Sequence, residues 1–435
     1  MTMKKRTLLI CCSALLAHQV YQVDQTEAKE VMVDVQVLEN LQQLLADQQK
    51  QLQKLQKQVD EFQQTATAAQ TQAQEAKAVA EEAKSTVQTT AGKGAIVSSG
   101  QERVKLTVSG QVNKAVNVID DGDETDAYFI DNGASNSRLR LIGTALVNED
   151  LTLGSKLEVA VAPNSSADVN QETEDSGDFF DQRVAEIFLL SKQYGELYLG
   201  KGSTASDGTA EVDLSGTDVI QYASYADIAA GMIFRDSAYD ALTGPTVSQA
   251  FNDFDGLSRK SRLRYDLPTV YGFGLAGSVI TDNKWDAALR WSGSGYGFKA
   301  GAAAAAAYIN AADADYQYDG SLSVLHEDTG LNFTFSAGTK DSETKDDPYS
   351  VYGKLGWQTT FFSVGKTSFG VDYGISENVN LDGDEGSSIG LAMVQSFADY
   401  GTELYFQFRQ YSLDRDASAD VEDINVGTIG ARVKF

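Results

Sequence analysis

Along most of this chain the side chains change character at every second residue. Phe369-Gly-Val-Asp-Tyr-Gly-Ile375 sets rings and aliphatics against Gly and Asp. Leu404-Tyr-Phe-Gln-Phe-Arg409 and Leu331-Asn-Phe-Thr-Phe335 do the same. Successive residues of a strand point to opposite faces, so this period builds strands with one apolar and one polar face. Repeated from Leu106–Val118 to Ile424–Phe435, the pattern yields about sixteen segments, each suited to lie between lipid and a wet lumen. The expected fold is an all-β transmembrane barrel of antiparallel strands, preceded by an α-helical coiled coil. The connections alternate as well. Asn148–Asp150, Gln193–Gly195, Pro268–Val270, Gly293–Gly295 and Ala398–Gly401 are short. Ile119–Ser135, Pro163–Gln182, Asp341–Tyr349, Ser376–Gly386 and Leu413–Asp423 are longer and acidic, the asymmetry of barrels with short turns at one end and long loops at the other.

Before residue 92 the period is seven. Leu38, Leu41, Leu45, Leu52, Leu55, Val59 and Phe62 lead into Ala66, Ala69, Ala73, Ala76, Ala80 and Ala83, with Gln, Lys, Glu and Asp between them. So narrow an apolar seam needs partner helices, and a coiled coil is expected over residues 31–91. Gly92, Gly94, Ser98, Ser99 and Gly100 mark a hinge over 92–103, and the barrel is expected over 104–435. At the N-terminus Lys4, Lys5 and Arg6 precede the apolar run Thr7–Ala17, too short to span a bilayer as a helix. This reads as a secretion signal over 1–28, cleaved after Ala17 or Ala28. Both cysteines, Cys11 and Cys12, fall within it, so the mature chain uses no disulfide.

Composition excludes other classes. The formal net charge is -27, which argues against a nucleic-acid partner. Only 2 His are present, His18 and His326, leaving little for a histidine-based catalytic triad or metal site, and the chain does not read as an enzyme. Asp120-Asp-Gly-Asp-Glu124 and Asp382-Gly-Asp-Glu-Gly386 lack the spacing of a calcium loop and read as solvated. No cofactor is expected. The run Ala302–Ala307 reads equally as a close-packed wall at a subunit contact or as a low-complexity strand.

Several segments together resemble the general Gram-negative porins. They are Gly110-Gln-Val-Asn113, Asp131-Asn132 with Ser137-Arg-Leu-Arg140, Tyr194-Gly-Glu-Leu-Tyr-Leu-Gly-Lys201, and Arg262-Leu-Arg-Tyr-Asp-Leu-Pro268 with Gly272-Phe273. The resemblance implies a trimer of sixteen-stranded barrels whose third long loop folds inward and narrows each lumen, its acids facing an arginine ladder. The connection over 202–257 is far too long for a structureless surface loop and carries Asp207, Glu211, Asp213 and Asp218. Arg138 and Arg140 share one face of a strand, Arg183 opens another, and Lys260, Arg262 and Arg264 share the polar face of a third. By resemblance the ladder is Arg138, Arg183 and Arg262 or Arg264. The apolar stretch Ile228–Phe234 inside the loop has no place in the simplest form of such a motif.

The terminal Ile429-Gly-Ala-Arg-Val-Lys-Phe435 alternates and ends on an aromatic, resembling the signal by which barrel-assembly machinery recognises its clients. Expected partners are therefore that machinery, outer-membrane lipid and lipopolysaccharide, further copies of the chain as a homotrimer, and peptidoglycan if the periplasmic coiled coil reaches it. The expected function is passive diffusion of small hydrophilic solutes and ions. The alternative is a structural envelope protein, in which the coiled coil tethers the outer membrane to the cell wall and the barrel is mainly an anchor.

Overall fold

A computed structural model describes residues 104–435 apart from 178–179, 312–313 and 417–418. The expected signal, coiled coil and hinge lie outside the described residues. The described residues form seventeen strands in one antiparallel sheet. They are β1 (Val104–Asp120), β2 (Thr125–Asp131), β3 (Arg138–Leu146), β4 (Leu151–Val161), β5 (Phe180–Ser191), β6 (Gly195–Ser203), β7 (Arg259–Asp266), β8 (Phe273–Ile280) and β9 (Trp285–Gly295). There follow β10 (Phe298–Tyr308), β11 (Ala314–His326), β12 (Leu331–Ser342), β13 (Tyr349–Phe362), β14 (Gly365–Glu377), β15 (Asp384–Phe397), β16 (Thr402–Arg415) and β17 (Ile424–Lys434). β17 pairs back onto β1, Lys434 against Gln111 through Asn425 against Asp120, and closes the barrel. Closure leaves the wall no free edge, as a structure in lipid requires.

The barrel is inside out. On β12, Leu331, Phe333 and Phe335 are exposed while Asn332, Thr334 and Ser336 are buried. On β16, Leu404, Phe406 and Phe408 are exposed while Tyr405, Gln407 and Arg409 are buried. An apolar surface this continuous is not stable against water and belongs against lipid tails. Among the described residues no helix is long and apolar enough to cross a membrane.

β2 and β3 are two halves of one wall strand: β2 pairs the upper part of β1 and β3 the lower part. Residues 119–135, expected as a loop, thus contain a strand, whose Tyr128 and Ile130 point inward under an acidic run that hid them. The break between the halves is stitched by the residues that carried the family resemblance. The buried Asp131 carboxylate accepts from the Ser137 backbone N–H and hydroxyl at 2.8 and 2.5 Å and pairs with Lys114 at 3.0 Å. The side-chain amides of Gln111 and Asn113 donate to the Ser135 carbonyl, both at 2.9 Å. Gly110 lies beneath the terminal ring: a Cβ there would come within 2.7 Å of the Phe435 ring. The two backbones also exchange hydrogen bonds of 2.9 and 3.0 Å.

Candidate functional site

The segment between β6 and β7 turns into the barrel and follows its inner wall as a ribbon, largely extended over 204–216 and then wound through turns and the short helices Asp227–Ala229 and Val247–Ala250. Such a ribbon has no ladder of its own, so its backbone polar groups need other partners. The wall supplies them from one strand after another. Ser278 on β8 accepts from the Ala205 N–H (2.7 Å), and Asp286 on β9 from the Ser206 N–H (2.9 Å). Ser321 and Ser323 on β11 accept from Val212 and Leu214, both at 2.9 Å. On β13, Gln358 donates to the Leu214 carbonyl (2.6 Å), and the Lys354 ammonium donates to Asp213, Thr217 and the Gln221 carbonyl. Gln407 on β16 and Asn117 on β1 donate to the Ile220 and Ile228 carbonyls at 3.1 and 2.7 Å.

Two features left open by the sequence find their place here. Ile228, Met232 and Phe234 join Val247 and Phe251 in a core of the loop's own, packed on Tyr352, Tyr411, Leu413, Ile424 and Val426 of the wall. Tyr225 stacks on Tyr352 with centroids 5.8 Å apart, and it fits because Gly374 lies beneath it, where a Cβ would come within 2.6 Å of the ring. The alanine run is β10. Its inward-facing Ala303 and Ala307 are buried, Ala307 against Leu257 at the loop's end, and these small side chains leave room for the ribbon.

The ribbon lies along β8 to β1, leaving β3–β5 and the start of β7 to face it across a cavity of about 430 Å³. On the wall side, the near-buried Glu158 carboxylate gathers Arg140 at 2.6 Å, Arg183 at 2.8 Å and Arg138 at 3.8 Å. Arg183 reaches this cluster through a β-bulge: Glu158 pairs with Val184 and Val159 with Gln182, so Arg183 is the extra residue. With Arg259 beside them, the cations outnumber the carboxylate. On the loop side the cavity is lined by Asp207, Glu211, Asp227, Asp253 and Asp255. The Ser224 hydroxyl bonds both Glu211 and Asp253, and Tyr222 bonds Asp227. These acids belong to the loop and not to a membrane-spanning strand. Burial, then the charge of Asp253, raises Asp255 to about 8, and burial raises Asp227 to about 6. Burial and the neighbouring acids hold Glu211 well above the carboxylate range.

Of the residues singled out from the sequence, Arg138, Arg183, Asp207 and Glu211 line this cavity, and Arg140 joins through Glu158. The others sit elsewhere. Arg262 is buried, paired with Glu186 at 2.7 Å and donating to the Ser203 and Gly200 carbonyls. Arg264 is held by Asp266, and Lys260 is exposed and lines neither this cavity nor the one around Arg264. Asp213 is buried against Lys354; Asp218 is exposed, within electrostatic reach of Arg432 and Lys354. Sequence reasoning missed Glu158, Arg259, Asp227, Asp253 and Asp255. The alternation Asp253-Phe254-Asp255 near the loop's end was a signal, but only folding brings it to Glu211.

A closed sheet with lipid-facing rings, its lumen narrowed by a loop between opposed charges, defines a class: the β-barrel channels of outer membranes. The profile of the Gram-negative porin family matches residues 65–416, and the chain belongs to that family. Among solved structures, it is similar in fold to an anion-selective porin from Comamonas acidovorans. That match is at 15% identity and TM-score 0.53, covering 76% of this chain and 100% of the other. It is also similar to a loop L8 deletion mutant of OmpT, an outer membrane protein of Vibrio cholerae. Here the identity is 16% and the TM-score 0.51, covering 77% and 100%. No curated protein matches the chain in sequence. The protein is an outer-membrane channel.

Proposed function

We propose that this porin passes small hydrophilic solutes and ions by passive diffusion, and that the gap between the Glu158-centred arginines and the loop acids is its constriction. The observation that carries the reading is the opposition itself: Arg138, Arg183 and Arg259 on one side of the cavity, Glu211, Asp227, Asp253 and Asp255 on the other. Opposed charges across a narrow wet gap set up a transverse field that orients dipolar solutes and screens ions. The channel acts without a cofactor or a catalytic step. Its copies associate as a homotrimer, joined in the periplasm through the coiled coil that the heptads of residues 31–91 lead one to expect. Phe435 presents the assembly signal, and the apolar belt meets membrane lipid and lipopolysaccharide.

Reversal potentials in a salt gradient test the constriction. Measured above pH 8, where Asp255 carries its charge, Arg138→Ala with Arg183→Ala shifts selectivity toward cations, and Asp253→Asn with Asp255→Asn shifts it toward anions. If both pairs leave the reversal potential where the wild type has it, the constriction lies elsewhere.

A further inference from the structure

A second cavity, of about 640 Å³, lies toward the end of the barrel that carries the short turns. We propose that it is a second solute station, selective for an organic monocarboxylate with an apolar body, in which Arg290 takes the carboxylate. The inference rests on the reading that solutes traverse this lumen.

The two arginines of the cavity differ. Arg264 is neutralised, with Nε and Nη2 each 2.7 Å from an oxygen of Asp266 and Nη1 on the Ser203 and Thr204 carbonyls. Arg290, on β9, is held only by neutral acceptors, the carbonyls of Ala205 and Asp207 at 2.7 and 2.8 Å. No carboxylate of the described residues lies within ion-pair distance of it. A guanidinium carries five N–H donors in one plane, so two carbonyls orient Arg290 and leave further donors for a ligand, with Asp266, Asp255 and Asp207 acting on it only from beyond ion-pair distance. A planar carboxylate is the natural complement of such a fork.

The rest of the lining sets the remainder of the ligand. Val212 and Leu214 from the loop, with Ala276 on the wall, offer an apolar surface, and the volume falls in the usual range for small-molecule sites. Lys192, Arg264 and Arg290 face Glu196 and Asp266, three cations against two anions, which leaves a single net positive charge. One carboxylate balances it, whereas a second would meet the acids.

Two variants test the station, and Gly274→Leu does so without removing a group that holds the loop. Gly274 shares the inward face of β8 with Ala276, and a Cβ there has only the Thr269 hydroxyl nearby, at 3.6 Å. Gly274→Leu therefore projects a side chain into the cavity without backbone strain, and Arg290→Met removes the charge. The probes are benzoate and its isosteric cation benzamidine, followed by equilibrium dialysis on the purified full-length protein and by current interruptions in a planar bilayer. Expected are benzoate binding and interruption by wild type, no effect of benzamidine at the same concentration, and an affinity about tenfold lower or worse in each variant. In Gly274→Leu the salt-gradient reversal potential stays at the wild-type value. Equal behaviour of the two probes, or wild-type benzoate affinity in both variants, overturns the proposal. A protein that binds benzoate in dialysis yet conducts nothing sinks the diffusion reading and leaves the station standing.

Discussion

Lys354 shows how much of the channel's geometry hangs on single side chains. Its ammonium is fully buried and its three donors are met by Asp213, Thr217 and the Gln221 carbonyl. Removing one member of such a pair strands the other charge in a poor solvent, at a cost of about 3–5 kcal/mol. Lys354→Met is expected to loosen the loop while the barrel still assembles. The readouts are protease cleavage within 204–257 and noisier single-channel current; a variant as resistant and quiet as wild type removes Lys354 as the loop's pin. The loop acids give a second prediction. Since Asp255 is raised to about 8 and Asp227 to about 6, both gain protons as pH falls through that interval. The facing arginines keep their charge, so cation preference falls from about pH 8 to pH 6, well above the carboxylate's usual range. Reversal potentials measured across that interval check it, and a change confined to pH 4 contradicts it.

At the scale of elements, wall and loop are complementary along their whole length. Where the ribbon's backbone groups need partners, the inward faces of β8, β9, β11 and β13 supply Ser278, Asp286, Ser321, Ser323, Lys354 and Gln358. The inward residues of β10 are Gly and Ala because the ribbon needs space. The two faces of one strand should therefore respond differently to the same change. Ala307→Leu, pressed on Leu257 and Ile280, is expected to destabilise by about 1–3 kcal/mol through overpacking. Ala304→Leu, exposed on the lipid side, is expected to be neutral. Thermal unfolding in detergent distinguishes them, and equal stabilities would show that the ribbon is not packed against β10.

At the scale of the molecule, the diffusion and tether readings part at the N-terminal heptads. Deletion of residues 31–91 is expected to leave the conductance of each barrel unchanged and to lower the temperature at which the oligomer dissociates on a semi-native gel. If dissociation is unaffected while the envelope becomes leaky, the heptad segment serves the cell wall and not the trimer. The sequence alone determined the barrel. Period two, with an apolar face in each strand, admits no other closed arrangement in lipid, and the spacing of the turns followed from it. It also placed Arg138 and Arg140 on one shared face and marked 202–257 as too long to stay outside. Tertiary structure decided which charges meet. Arg183 turns inward through a bulge defined by its pairing with β4, and Arg262 on β7 is claimed across β6 by Glu186 on β5. Asp253 and Asp255 reach Glu211 only after more than forty intervening residues have wound round the wall. Alternation is a local property, set by neighbours in the chain. The partner of a charge depends on register and loop path, which residues far apart settle together.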